Sequence, residues 1–367
     1  MKYHDPLKQI LTLTRAHWER DRGRPAARTA FREALRCRTP ALGAEVYASE
    51  NGERIFYHTC KSRACPTCGH WATMQWQRNR WATLPDVPYK GITFTMPDLL
   101  WTIFRDNRSL ADALPAMAAS VMEAWMTAKH GLRIGVIAIL HTFNGRLEFN
   151  SHVHTMVSAG GLNASSNTWV SSVYYDRDHL MRMWRGAVIK LLHRAHCAGL
   201  LRAEMTFDQM EAMLTEQGKR WWSVKVQSFK SSEHFLRYAG RYARRPPIAQ
   251  HRITYIGKRG VTFWAKDKKL GRRVDVQCAL EEFVDRWAQH IPEHYRHAVR
   301  SFGLFAPRAV SQTSAAIFAV VGQRQQPRPR HLRWADSLKR VFGRDPLLDQ
   351  TGQRMRWARR LVPVATR

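Results

Sequence analysis

The stretch that most constrains this chain is 135–158, GVIAILHTFNGRLEFNSHVHTMVS. Two runs rich in apolar and β-branched residues flank a polar break at Asn144-Gly145, which reads as two neighbouring strands, 135–143 and 149–158. The second carries His152-Val153-His154. Side chains alternate across a strand, so both imidazoles point to one face and Val153 to the other. Two imidazoles on one face can form two legs of a metal site that keeps open positions for a substrate. The triplet alone is a weak signal: with 17 His in 367 residues, roughly 0.8 such triplets arise by chance. Its meaning has to come from the rest of the chain.

Composition narrows the partners. Lys and Arg number 59 against 29 Asp and Glu, a net charge of +30. The excess runs through most of the chain, and a field of this sign favours polyanions, nucleic acid first among them. The apolar runs GVIAIL and AAIFAVV are far too short to span a bilayer. The first twenty residues carry Lys2, Asp5, Lys8 and Arg15 and no apolar h-region. These features predict a soluble cytoplasmic protein.

Four of the six cysteines, Cys37, Cys60, Cys65 and Cys68, fall close together. In a reducing compartment disulfides are disfavoured, and Cys65-Pro66-Thr67-Cys68 has the form of a zinc-knuckle turn. The expectation is structural Zn²⁺ on these four thiolates, with His58 and His70 in reserve. Cys197 and Cys278 read as core residues. Residues 1–36 read as short basic helices around Ile10, Leu11, Leu13 and Trp18. Strands are predicted at GITFTM, at WWSVKVQSF (221–229) and in a hairpin about Lys258-Arg259-Gly260. Helices are predicted from Ser109 to Lys129, from Asp178 to Ala198, over 279–300 and in WADSLKRVF, followed by a polar tail.

The second chemical stretch is SSEHFLRYAGRYARRPP. Ser231 suits an N-cap, Glu233 the positive end of the helix dipole, and Pro246-Pro247 a stop. On the wheel Phe235, Leu236, Ala239 and Ala243 form a buried face. Arg237, Arg241, Arg244 and Arg245 spread over the other side as candidate DNA contacts. Tyr238 and Tyr242, one turn apart, lie along the border. Gly240 costs about 1 kcal/mol in a helix interior, which close approach of a backbone or a ligand would explain. An ionised tyrosine is a competent nucleophile at a phosphodiester, and a cation held by histidines would help by polarising the phosphate.

At this point the residues carry a resemblance. The His152-Val153-His154 strand followed by the tyrosine helix resembles an HUH endonuclease, and more closely the two-tyrosine rolling-circle transposases of bacterial insertion sequences. CRTPALG, YHTCKSRACPTC and ITFTMP are similar to that family's zinc region. ILHTF and HVHTMVSAGGL are similar to its nuclease strands, LRYAGRYARRPPIAQHRI to its tyrosine helix, and VTFWAKD, RSFGLFAPR and WADSLKRVFGRDPL to its C-terminal part. The likeness covers roughly residues 30 to 350. It implies single-stranded DNA at transposon ends as partner, Tyr238 and Tyr242 as catalytic residues, a 5′-phosphotyrosine intermediate, and rolling-circle strand transfer near the bacterial nucleoid. Two departures stand out. Where family members commonly carry an extra cysteine pair the chain reads ASENG (48–52), and where a second pair usually follows DPL it reads LLDQTGQR (347–354).

The third ligand beside His152 and His154 is expected to be His141, with Gln227 in reserve, and the metal Mg²⁺ or Mn²⁺. A two-residue turn at Asn144-Gly145 would set His141 against Glu148, roughly 13 Å from His152 along the strand. A longer loop, reaching to Asn150, is therefore predicted, one that brings His141 opposite His152. The expected fold class is α+β, with a central antiparallel sheet and packed helices between a zinc module and a helical basic C-terminal region. The expected divisions are 1–85, 86–275 and 276–367. Two other readings are a plasmid replication initiator or relaxase of the same chemistry, and a zinc-containing DNA-binding protein without catalysis.

Overall fold

The computed structural model describes residues 5–364 except 21–23, 63, 244–245, 268–269 and 298; for 311–313 only the backbone is described. Its compact units are discontinuous in sequence. One comprises 76–244 and 294–328, the other 1–75, 245–293 and 329–367.

The first of these is built on a five-stranded antiparallel sheet. In spatial order its strands are Val299–Gly303, Gly135–Phe143, Phe149–Ser158, Tyr89–Phe94 and Val224–Phe229. The Phe149–Ser158 strand lies at the centre, and the period-two pattern sends its alternate side chains into two different cores. Val153, fully buried, joins Phe94, Val136 and Trp184 on the face covered by helices Arg108–His130 and Arg177–Cys197. Burying such a side chain stabilises by about 1.5–3 kcal/mol. Met156, Ile139 and Tyr89 point the other way, beneath Phe235, Ala239 and Ala243 of helix Ser232–Ala243. The Cys197 thiol is exposed, not in the core as its isolation suggested, because it lies off the buried stripe of its helix, which runs through Leu192 to Ala195.

In the other unit, helices Pro6–Leu13, Arg15–Arg20 and Pro25–Arg36 precede a hairpin of Ala44–Ser49 and Gly52–Tyr57. A second three-stranded sheet, Ile253–Gly257, Gly260–Lys266 and Arg273–Cys278, turns through Lys258-Arg259 as expected. It packs on helix Leu280–Ala288 through Phe263 and Phe283. The helix expected over 279–300 ends at Ala288, and Pro292 shortly afterwards cannot rejoin a helical ladder. The residues beyond Gly343 are not merely a polar tail: Arg356–Leu361 pairs antiparallel with Ala44–Ser49 as an edge strand. Its Arg-rich pattern hid it, since a strand exposed on both faces carries no hydrophobic alternation. Among the described residues no helix is long and apolar enough to cross a membrane.

The stretches 48–52 and 347–354, which lack the cysteine pairs, lie together around one carboxylate. Asp349 Oδ2 accepts from Ser49 Oγ (2.7 Å) and Asn51 Nδ2 (2.9 Å), and Oδ1 accepts from the Thr351 and Gln353 backbone amides (2.9 Å each). The Asn51 and Ser49 side chains hold this carboxyl well below its usual range. A folded pKa depressed in this way gives stability that is present above the unfolded value, about 3.9, and lost as pH falls through the folded one. We expect the 356–361 amides to stay protected from hydrogen exchange through pH 4, and Asp349→Ala to expose them at neutral pH. Equal protection in the variant would show that the clasp holds nothing.

Candidate metal and tyrosine site

The two central strands meet in the register needed for a three-histidine cluster. His141 pairs directly with His152, while Phe143 pairs with Phe149, so a bulge sits between them and residues 144–148 form the turn. The connection is thus longer than two residues but stops short of Asn150, because the bulge supplies the rest of the register shift. Asn144 holds the turn by accepting at Oδ1 from the Arg146 and Glu148 amides (2.8 and 3.1 Å). One ring nitrogen from each of His141, His152 and His154 lies within 4.8 Å of the others. Three imidazoles converging at that spacing, two of them buried, fit a divalent cation.

Each ring is oriented by a neighbour, which is how histidine ligands are usually fixed. His154 Nδ1 is 3.1 Å from Thr93 Oγ1, and His152 Nδ1 is 2.8 Å from the Asn150 carbonyl. With Nδ1 engaged in this way, Nε2 is the atom that each of these rings would offer to a cation. His141 Nε2 lies 3.0 Å from the carbonyl of Tyr242. Thr93 and Asn150 were not singled out in the sequence. Thr93 is placed only by the strand register, in which it opposes His154, and nothing local foretells that pairing.

Helix Ser232–Ala243 brings both tyrosines to this cluster. Its N-terminus is held by Asp86, whose carboxylate accepts from the Ser232 amide and hydroxyl at 2.8 and 2.9 Å. Phe235, Leu236, Ala239 and Ala243 are buried as the wheel predicts. The Tyr242 ring stacks on His154 at 4.0 Å between centroids and 29° between planes, and lies 5.0 Å from Tyr238. Tyr238 sits deeper, with 8% of its surface exposed. Burial, followed by the adjacent Tyr242 phenol, raises its pKa above the ordinary tyrosine value. Gly91 makes room for it: a Cβ there would lie 3.0 Å from Phe229 and 3.4 Å from the Tyr238 ring.

Of the four arginines, Arg241 covers the Tyr238 ring at 4.8 Å, and Arg237 pairs with Glu233 at 2.7 Å on the exposed side. Arg244 and Arg245 lie outside the described residues. Gln227, the reserve ligand, opposes Gly91 across the strand pair. His193, which lies one turn from His196 on helix Arg177–Cys197, is bonded to Glu211 at 2.8 Å.

The four cysteines form a second, separate cluster. Cys37 Sγ is 3.7 Å from that of Cys68 and 3.8 Å from that of Cys65, and Cys60 Sγ is 3.6 Å from that of Cys68. A tetrahedron with zinc–sulfur bonds of 2.3 Å has edges of about 3.8 Å, so the thiols stand where such an ion would hold them. Those separations also rule out disulfides, whose sulfurs are about 2.0 Å apart. The reserve His58 turns away to Glu45 and the Leu42 carbonyl.

Comparison with known proteins matches two family models to the chain. Residues 10–96 match the family model described as "Transposase zinc-binding domain", and residues 135–313 the model described as "Putative transposase". The protein "Transposase for insertion sequence element IS801" of Pseudomonas savastanoi pv. phaseolicola is 30% identical over 363 residues, covering 93% of this chain and 86% of its own. The chain belongs to the two-tyrosine transposases of bacterial insertion sequences. A further relative, "Putative transposase y4qJ" of Sinorhizobium fredii, is 29% identical over 302 residues, 78% of this chain and 76% of its own. No solved structure matches the chain.

As a transposase the protein acts on DNA, and its zinc-binding domain contains the cysteine cluster. The tyrosine helix of this transposase is also braced by a residue that the sequence reading passed over. Gln77 Nε2 donates to the Leu236 carbonyl at 2.8 Å, and a Cβ on Gly240 would lie 2.2 Å from that nitrogen. The glycine therefore admits a side chain, not a backbone or a ligand. In Gly240→Ala the flexible amide has to withdraw, losing a hydrogen bond worth about 1 kcal/mol. The helix gains about the same in propensity. We expect a melting temperature within a few degrees of the parent, while Gly240→Val, bulkier and β-branched, melts clearly lower in calorimetry.

Proposed function

We propose that the protein cleaves and rejoins single-stranded DNA at transposon ends through a 5′-phosphotyrosine, in rolling-circle transposition. The observation that carries this reading is the Tyr242 ring stacked on His154 of the three-histidine cluster. A tyrosine set against a phosphate-polarising centre is what phosphodiester transesterification requires.

His141, His152 and His154 would hold Mg²⁺ or Mn²⁺, which when bound polarises the non-bridging phosphate oxygens. The tyrosine hydroxyl attacks phosphorus and loses its proton. The bond from phosphorus to the 3′ oxygen breaks, and that oxygen leaves as a 3′-hydroxyl. The DNA 5′-phosphate stays on the tyrosine, conserving the bond energy for rejoining. Arg241 holds the flanking phosphate charge, and Arg237 does so on exchanging Glu233 for a phosphate. A second tyrosine one turn away allows a second transfer before the first adduct is released. In this reading residues 1–85 contact DNA through the zinc module, 86–275 carry the chemistry and 276–367 add basic surface, in the bacterial cytoplasm beside the nucleoid.

The test is a labelled single-stranded oligonucleotide carrying the element's end, incubated with Mg²⁺ or Mn²⁺ and run on a denaturing gel. We expect a protein–DNA adduct that disappears in Tyr238→Phe/Tyr242→Phe and, separately, in His152→Ala. Tight binding of a verified end without any adduct would favour a non-catalytic DNA-binding protein.

A further inference from the structure

The sheet of Ile253–Gly257, Gly260–Lys266 and Arg273–Cys278 lies in a different compact unit from the tyrosines, and none of its residues has a named part in the chemistry above. Its two faces differ sharply. Val261, Phe263 and Ala265 are buried, with Phe263 against Phe283. The opposite face follows from the register. Tyr255 opposes Thr262; Thr262, Trp264 and Lys266 alternate along the middle strand; Lys266 opposes Arg273. Tyr255, Trp264, Lys266 and Arg273 therefore share one side, with Asp275 across from Trp264. Tyr255 is 44% exposed.

An exposed tyrosine on a sheet edge is unremarkable by itself. Here it accompanies a cation–aromatic stack. The Arg273 guanidinium lies over the Trp264 indole at 4.2 Å, and Arg252 approaches the same ring at 5.4 Å while donating to the Trp264 carbonyl at 2.8 Å. Arg273 is exposed, so its outer surface faces solvent. The hairpin adds Lys258 and Arg259 at the end where Tyr255 sits. Planar groups set among cations on an open sheet face are what unpaired bases stack on, while neighbouring cations follow the phosphates. Duplex DNA keeps its bases stacked inside and would use only the charge.

We infer that this sheet face is a second binding surface for single-stranded DNA, on which bases stack at Tyr255 and on the Arg273–Trp264 pair while Lys258, Arg259 and Lys266 hold phosphates. The inference rests on the reading of the protein as a single-strand DNA transferase, and adds a surface in the unit that does not carry the tyrosines.

The test is fluorescence anisotropy of the full chain with labelled oligothymidylate and with a duplex of equal length, without added divalent cation so that cleavage plays no part. The variants are Tyr255→Ala, Arg273→Lys and the two combined. Both positions are exposed, and Arg273→Lys keeps the charge while removing the planar group. We expect the double variant to bind oligothymidylate at least about tenfold more weakly, with duplex affinity changed less than twofold. Unchanged oligothymidylate affinity, or an equal loss for duplex, overturns the inference while leaving the adduct assay intact. A parent chain that binds neither DNA overturns it together with the reading it rests on. Circular dichroism checks folding, and Tyr255→Phe is expected to retain the parent affinity.

Discussion

Tyr242→Phe is expected to abolish the first cleavage of a single-stranded end, by about 10³-fold or more, while Tyr238→Phe leaves that step within a few-fold and blocks the second transfer. The geometry distinguishes the two phenols. The Tyr242 ring stacks on His154, and its carbonyl meets His141, so both of its ends are tied to the histidine cluster. Tyr238 lies deeper, under Arg241, and its burial opposes ionisation. Desolvation disfavours the anion at the deeper hydroxyl. Single-turnover cleavage followed by adduct mapping separates the steps. First-strand cleavage that survives in Tyr242→Phe but is lost in Tyr238→Phe would reverse the assignment.

The second large effect concerns zinc. Structural zinc sites in small domains contribute about 10–16 kcal/mol of binding free energy, drawn upon in folding. Cys68→Ser, or treatment with a strong chelator, should therefore strip the ion and unfold the region around Cys37, Cys60, Cys65 and Cys68, seen as new proteolytic cleavage between residues 37 and 68. Metal analysis by mass spectrometry should find one zinc per chain in a His152→Ala background, where the imidazole cluster is disabled. The place of a second knuckle is taken by the Asp349 carboxylate and its donors, which include no thiol. Two zinc ions per chain in that background would contradict this.

What the sequence made legible follows from what is local. The alternation around Val153 sets the strand and its two faces, and the i, i+4 spacing sets both tyrosines along one edge of a helix. The position of His141 was accessible by counting residues, because a two-residue turn placed it too far away. What stayed hidden is held by distant segments. Thr93, Asp86 and Gln77 orient the site through pairings that no short window contains, whereas Asn150 lies only two residues from the His152 ring it orients. The strand Arg356–Leu361 exists only because Ala44–Ser49 offers it an edge. The C-terminal end of the 279–300 helix was overextended because its apolar residues continue past Ala288, whereas Pro292 ends the ladder.

That strand has a consequence for how the protein is made. Arg359 is bonded to Glu53, 306 positions earlier. At roughly 5–20 residues per second on the ribosome, the Ala44–Ser49 edge waits on the order of a minute or less before its outer neighbour has been synthesised. Throughout that interval the emerging polypeptide presents an open backbone edge. A message broken before codon 356 leaves it open permanently, so the zinc-bearing unit reports on whether translation ran through the strand, and prematurely terminated products become substrates for chaperones and proteases.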